Sequence, residues 1–340
     1  MAVSAVYIYY WMLIAVILPA LAFPKKFKSF KLFYLVLVPV AYTVVVFLFR
    51  DFNKSNDYQN YLYIYSEVNS FSEVFSRNGE LLFNLFLIAG NILGASYGVV
   101  YSLLLLTSLL SLSVALYFSN LKLDEKLILI IMFFSCSGTY FLLANAFRQG
   151  LALNLMMIVI IASSNRMRMI AIGFAPIFHF SSLLPIMSIT IKRLLKSKFA
   201  LIFSIIAVIA FLPLMQMLLI YRFEKYTDEY DYESSFQVIR LFIDIAALLF
   251  IIIYKNKFLD ITTPMSFFIL KIISYNFSPL IYSRISYYDI VVYCFMYLNC
   301  EVRNKSRVKI LIVVLSFLYA NIIFSIESLS SNFLYINEIS

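Results

Sequence analysis

The chain is a succession of long apolar runs separated by short polar ones, and runs of that length leave few choices of fold. Twelve can be drawn, at 3–23, 32–49, 81–97, 99–118, 127–144, 149–163, 169–191, 199–221, 238–254, 261–282, 285–300 and 310–326. A helix crosses the hydrocarbon core of a bilayer with about 20 apolar residues, or about 17 at the short end. Only a helix or a closed barrel satisfies every backbone group there. Several of the runs fall short and are expected to be tilted, broken or re-entrant. Charged residues make up 13% of the 340, too few to wet the surface of a soluble domain this size. The pattern predicts an all-α, polytopic integral membrane protein with about ten to twelve transmembrane segments, one or two of them broken or re-entrant. Residues 1–340 are expected to form a single membrane domain. The first run, Val3 to Phe23, lacks a basic lead-in and a small-residue cleavage site, and reads as a retained span rather than a signal peptide.

Loop charge sets the expected orientation. Lys25, Lys26, Lys28 and Lys31 crowd one loop, Lys192, Arg193, Lys196 and Lys198 another, and Arg303, Lys305, Arg307 and Lys309 a third. The positive-inside rule makes all three cytoplasmic. It also accounts for the net charge of +9 without nucleic acid. The acidic, aromatic stretches 50–80 and 222–237 are then external loops, with both termini outside. If 81–97 and 169–191 both cross, there are twelve spans and Arg148 is cytoplasmic. If both are re-entrant, there are ten and Arg148 faces outside. The second arrangement puts Lys122, Lys126, Arg166 and Arg168 inside, as the charge rule prefers, and Pro176 and Pro185 favour a break.

Against this apolar background, Arg148, His179, Arg240, Asp244, Lys271, Arg284 and Asp289 lie in or beside the runs. A charge at mid-bilayer costs about 2.5–3.5 kcal/mol on insertion scales, so such residues usually face a wet cavity and mark a functional path. Five are basic and two acidic, which suits a cavity for an anion.

Five constellations carry the chemistry. After the second run come Arg50 and then Asp57-Tyr58-Gln59-Asn60-Tyr61, with Tyr65 beyond. The tyrosine spacing puts one helical face toward either a sugar ring or the membrane interface. Asn145-Ala146-Phe147-Arg148-Gln149-Gly150 sits at a junction of two runs, where Arg148 either grips a phosphate or snorkels. His179, between Phe178 and Phe180, is a catalyst or a satisfied structural residue. Arg240 and Asp244 share a helix face and can pair internally. Arg284 is expected at the outer end of a span, with Tyr287 and Tyr288 close behind; Arg222 is a weaker candidate, and Lys271 either snorkels or lines the cavity. The single histidine and three dispersed cysteines offer no metal-site spacing, and no phosphate loop, dinucleotide fingerprint or nucleophile elbow is present. No metal and no cofactor is expected.

Taken in order, these elements resemble the EpsG family of bacterial polysaccharide polymerases, within the wider Wzy-type group. The resemblance rests on Arg50 with Asp57 to Tyr61, on Asn145 to Gly150, and on the basic turn Arg166 and Arg168. It continues through Ala175, Phe178, His179, Ser181 and Pro185 to Arg284, Tyr287 and Tyr288. The chain departs from the pattern at Asn53 to Asn56, a polar stretch in place of a short Gly-containing turn. The resemblance implies a fold like that of multispanning glycosyltransferases with lipid-linked donors. It also implies an inner-membrane enzyme that joins oligosaccharide repeat units carried on undecaprenyl diphosphate into O-antigen, capsule or exopolysaccharide. Its partners are then the lipid-linked donor and acceptor and the bilayer, with room for a chain-length regulator. Read onto that chemistry, Arg148, Arg284, Arg240 and Arg50 bind the diphosphate. Asp57 or His179 serves as base, and Tyr58, Tyr61, Asn145, Gln149 and Tyr287 hold the sugars. A flippase or exporter of lipid-linked oligosaccharide, and a membrane O-acyltransferase acting on polysaccharide, are the alternatives.

Overall fold

The computed structural model describes residues 31–49, 56–67, 81–136, 139, 142–143, 146–194, 234–277, 279–300 and 307–316. Among them every extended element is helical, and the one strand-like feature is an isolated bridge between Phe258 and Cys300. The all-α expectation holds. The described residues through Ser182 form one compact unit and those from Leu183 onward another.

The first unit contains α1 (Lys31–Phe49), α2 (Asn56–Glu67), α3 (Leu81–Ile92), α4 (Tyr97–Phe118), α5 (Leu123–Phe134), α6 (Phe147–Ile161) and α7 (Asn165–Phe178). Of the described helices, α4 is long and apolar enough to cross a membrane; Tyr34–Val44, Leu82–Ile92 and Phe147–Ile161 are shorter apolar helices. Ser96 caps α4 by accepting from the Val99 amide, and 22 residues carry the helix about 33 Å. Leu105, Leu109 and Leu116 are buried, while Val99, Leu103 and Val114 point outward. A helix apolar on all sides suits lipid or a deep core. α6 and α7 form a hairpin; α4 packs on α1, α3 and α6, and α3 packs on α2 and α7.

The turns at one end of this unit are locked by basic side chains. Buried Lys126 reaches back from α5 to the Tyr117 and Ser119 carbonyls, at 3.0 and 2.8 Å, closing the end of α4. Arg168 does the same for α6 through the Val159 and Ala162 carbonyls, at 3.1 and 2.9 Å. These are the orphan carbonyls of helix C-termini, where cations are favoured. The Asn120 amide donates to Ser163 Oγ at 2.9 Å, joining the two turns. At the opposite end of α6, Gly150 is required: a Cβ there would lie 2.9 Å from the Leu142 carbonyl carbon and oxygen.

Run 169–191 is broken, as expected, but the break follows Pro176 instead of falling on it. α7 continues two residues past this proline and ends at His179, whose backbone is extended (φ −157°, ψ 121°). A 3-10 turn, Phe180–Ser182, follows.

The second unit contains α8 (Leu183–Leu194), α9 (Ser234–Ile253), α10 (Thr262–Phe277), α11 (Pro279–Ser286), α12 (Asp289–Asn299) and α13 (307–316). Pro185 falls in the first turn of α8, where its missing donor costs nothing. α10 is central and packs on α8, α9, α11 and α12. Asp260 caps α10, accepting from the Thr262 amide at 3.0 Å and the Thr263 hydroxyl at 3.1 Å. The turn between α9 and α10 is tied to the end of α12 by the Phe258–Cys300 bridge and by the Leu259 amide, which donates to the Asn299 carbonyl at 2.8 Å. Runs 261–282 and 285–300 divide differently from expectation: α11 is a separate short helix. Proline cannot continue the amide ladder, so the chain restarts at Pro279. Arg284 therefore sits in the last turn of a short helix, not at the end of a long one.

Candidate functional site

In the first unit the guanidinium of Arg148 is the focus. Arg148 is the second residue of α6, where the helix dipole favours an anion. Ala146, at the N-cap, makes no side-chain cap. The guanidinium lies over the rings of Tyr61 and Phe83, 5.1 and 5.9 Å from their centroids, and its Nε donates to the Tyr61 hydroxyl at 3.4 Å. Tyr61 and Phe83 meet edge to face at 5.1 Å, and Phe83 meets Phe147 in turn. Stacking on aromatic faces fixes the plane of an arginine, and the planar fork of a guanidinium matches the geometry of a phosphate. Phe83 is the partner that sequence reasoning missed; it is an ordinary apolar residue of run 81–97.

The other groups at this end follow from helix direction. Tyr65, one turn beyond Tyr61, donates its hydroxyl to the Ala95 carbonyl, and burial raises its phenol above the ordinary range. Asn91 donates to the Tyr65 carbonyl at 3.2 Å. α2 is thus laid along α3 and the turn that leads into α4. Gln149 is buried. His179 ends α7, and the turn after it packs on α6. Because α6 and α7 are 15 and 14 residues long, their hairpin returns His179 to the end of α6 that carries Arg148. The Ser181 amide donates to His179 Nδ1 at 3.2 Å, with the Ser181 hydroxyl 2.8 Å away. An accepting Nδ1 puts the proton of the neutral ring on Nε2.

The second unit holds a buried ionic network. Lys271 of α10 donates to Asp244 of α9 at 2.7 Å and to Asp289 of α12 at 2.5 Å, and none of the three side chains is more than 1% exposed. Tyr282 of α11 donates to the second oxygen of Asp244. The Tyr282 ring lies 5.2 Å from the Lys271 ammonium. Asp244 therefore finds its cation across helices in Lys271, where the four-residue spacing suggested Arg240. Arg240 is buried one turn earlier on α9 and donates to the Ser283 hydroxyl at 3.3 Å. Arg284 is half-buried one residue beyond Ser283, and Tyr287 lies in the turn that follows α11. Lys271 is enclosed, so it does not snorkel.

Among the other sequence-derived candidates, Arg50, Asn145 and Arg222 lie outside the described residues. Asp57 and Tyr58 are placed on α2 by their backbone, and their side chains lie outside the described set.

No curated protein and no solved structure matches the chain. The EpsG family matches it over residues 33–337, nearly its whole length and including every candidate site residue placed above. The chain belongs to the EpsG family.

Proposed function

We propose that this protein polymerises oligosaccharide repeat units carried on undecaprenyl diphosphate, as a multi-pass enzyme at the outer face of the bacterial inner membrane. EpsG membership gives the coarser frame: a membrane protein of polysaccharide biosynthesis, with a polymerase-type glycosyl transfer. The finer reading is carried by the Arg148 guanidinium, stacked on Tyr61 and Phe83 at the start of α6.

Orientation supports it in each unit taken alone. In the first, Lys122, Lys126, Arg166 and Arg168 gather at the joined turns. Arg148 lies about 20 Å away along α6, at the other end. In the second, Lys255 and Lys257 sit in the turn pinned to the end of α12, just before the basic loop that begins at Arg303. α9 runs from its Arg240 end into that turn, so Arg240 lies toward the opposite side. With basic turns inside, both sets of arginines are external, which agrees with the ten-span arrangement and re-entrant segments at 81–97 and 169–191.

The growing chain leaves its lipid diphosphate as a hydroxyl of the next lipid-linked unit attacks the anomeric carbon. The diphosphate is already a good leaving group and needs charge stabilisation more than a proton. Arg148 in the first unit, Arg240 and Arg284 in the second, and Arg50 are the proposed diphosphate ligands, each unit taken by itself, and binding that strengthens in the transition state lowers the barrier. Tyr61, Tyr58, Gln149, Asn145 and Tyr287 position the sugars. With Nδ1 accepting from Ser181, His179 offers a donor at Nε2, so Asp57 suits the role of base better.

The test is charge replacement. Arg148→Lys and Arg148→Ala variants, matched for membrane abundance, are expected to lose the long-chain ladder of surface polysaccharide on a gel. Normal ladders from both remove Arg148 from the site.

A further inference from the structure

We propose that the buried network of the second unit is a positioning device: Lys271, Asp244, Asp289 and Tyr282 hold Arg240 and Arg284 in register for the headgroup of an isoprenyl diphosphate. The inference rests on the reading of those two arginines given above and adds four residues to which that reading assigns no role.

One ammonium ties three helices, because Lys271 on α10 bonds Asp244 on α9 and Asp289 at the start of α12. Asp244 is shared: its other oxygen receives the hydroxyl of Tyr282 on α11. One turn earlier on the same face of α9, Arg240 donates to Ser283, the neighbour of Tyr282. α9 and α11 are thus fastened at two points, one helical turn apart on α9 and at adjacent residues of α11. Two such bonds restrain sliding and rotation of α11 against α9, and Arg284 lies one residue beyond the second of them.

Charge accounting points the same way. Asp244 and Asp289 are two buried carboxylates on the elements that carry or adjoin the arginines. Left to themselves they would compete with a phosphate for the guanidinium groups. Lys271 draws one oxygen of each toward α10, and Tyr282 takes another. Buried ion pairs rarely improve on well-packed apolar side chains for stability alone, so stability gives little reason to keep three charges at 0–1% exposure. Orienting cations for an anionic ligand gives one.

The experiment uses the full chain purified in detergent, radiolabelled farnesyl diphosphate as the probe, equilibrium dialysis for affinity, and thermal unfolding in parallel. Inorganic pyrophosphate serves as competitor, to isolate headgroup binding. Tyr282→Phe removes one hydroxyl and keeps the ring. Ser283→Ala removes one hydrogen-bond partner of Arg240. Thr263→Ala weakens the Asp260 cap at the other end of α10 and is the control for a merely structural effect. Tyr282→Phe and Ser283→Ala should each weaken pyrophosphate-competable binding about tenfold, the scale of a lost hydrogen bond to a charged group. Thr263→Ala should lower the melting temperature and leave affinity unchanged. If Arg240→Ala weakens binding while Tyr282→Phe and Ser283→Ala bind as wild type, the positioning role is overturned and the arginine site stands. The same holds if Thr263→Ala weakens binding as much as they do. If wild type shows no pyrophosphate-competable binding, or Arg240→Ala and Arg284→Ala bind as wild type, the arginine site itself fails and the positioning role with it.

Discussion

Replacing Lys271 by Met keeps the length of the side chain and removes its charge. The consequence follows from what surrounds it. Asp244 and Asp289 are 0% and 1% exposed, and each gives an oxygen to the Lys271 ammonium. In the variant both carboxylates stay buried without their cation. Removing one member of a buried pair costs about 3–5 kcal/mol, chiefly the penalty of the charge left behind. For a unit of this size each kcal/mol shifts the melting temperature by about 2–4 °C, so the loss should be at least about 6 °C. A second variant separates lost charge balance from lost packing. Combining Lys271→Met with Asp244→Leu and Asp289→Leu removes all three charges together. It should recover a large part of the loss, as apolar replacements of buried ion pairs do. The assay is dye-monitored unfolding of the detergent-purified full chain, with size-exclusion profiles as a check on folding. A wild-type melting curve for Lys271→Met would refute the argument. So would a triple variant less stable than the single one.

Gly150→Ala should destabilise the first unit by about 1–3 kcal/mol, the scale of overpacking, because its Cβ would meet Leu142 backbone atoms at 2.9 Å; the thermal shift and membrane yield report it. Tyr61→Phe should shorten the chain-length ladder less than Arg148→Ala does, since it removes only the hydroxyl, whose hydrogen bond to Arg148 is long at 3.4 Å, and keeps the ring under the guanidinium; a ladder as short as that of Arg148→Ala refutes this. Phe83→Ala should cost about 3–5 kcal/mol and shorten the ladder in whatever protein folds, because it removes a fully buried ring beneath Arg148. Asp57→Asn should abolish chain extension and leave single-unit transfer visible on the same gel; an unchanged chain-length pattern rejects Asp57 as base.

Much of the local architecture was legible in the sequence. Run 99–118 appears as α4 within two residues at its start, and 149–163 as α6 within two at each end. Arg148 could be expected at a helix start because a polar cluster separates two apolar runs there. The break in 169–191 was legible from its prolines. Its position was not, since Pro176 is tolerated inside α7 and the chain turns only at His179. The division of 261–282 from 285–300 was misplaced because Pro279 acts locally, as the start of a helix, within a run that stays apolar on both sides.

What the amino-acid sequence determined alone is the part that depends on near neighbours: helices from apolar runs, the shortage of charge that a water-exposed surface would need, and the basic turns that close helix ends. The partners of the functional side chains were decided by tertiary structure. Arg148 and Tyr61 lie 87 residues apart, and Lys271 is 27 residues from Asp244 and 18 from Asp289. Helical periodicity says which face a residue occupies and nothing about which distant helix covers that face. For Asp244 it suggested Arg240, four residues away, whereas packing α9 and α12 against α10 delivered Lys271. A buried carboxylate takes the cation that the surrounding helices bring to it, and that choice is made only when the helices meet.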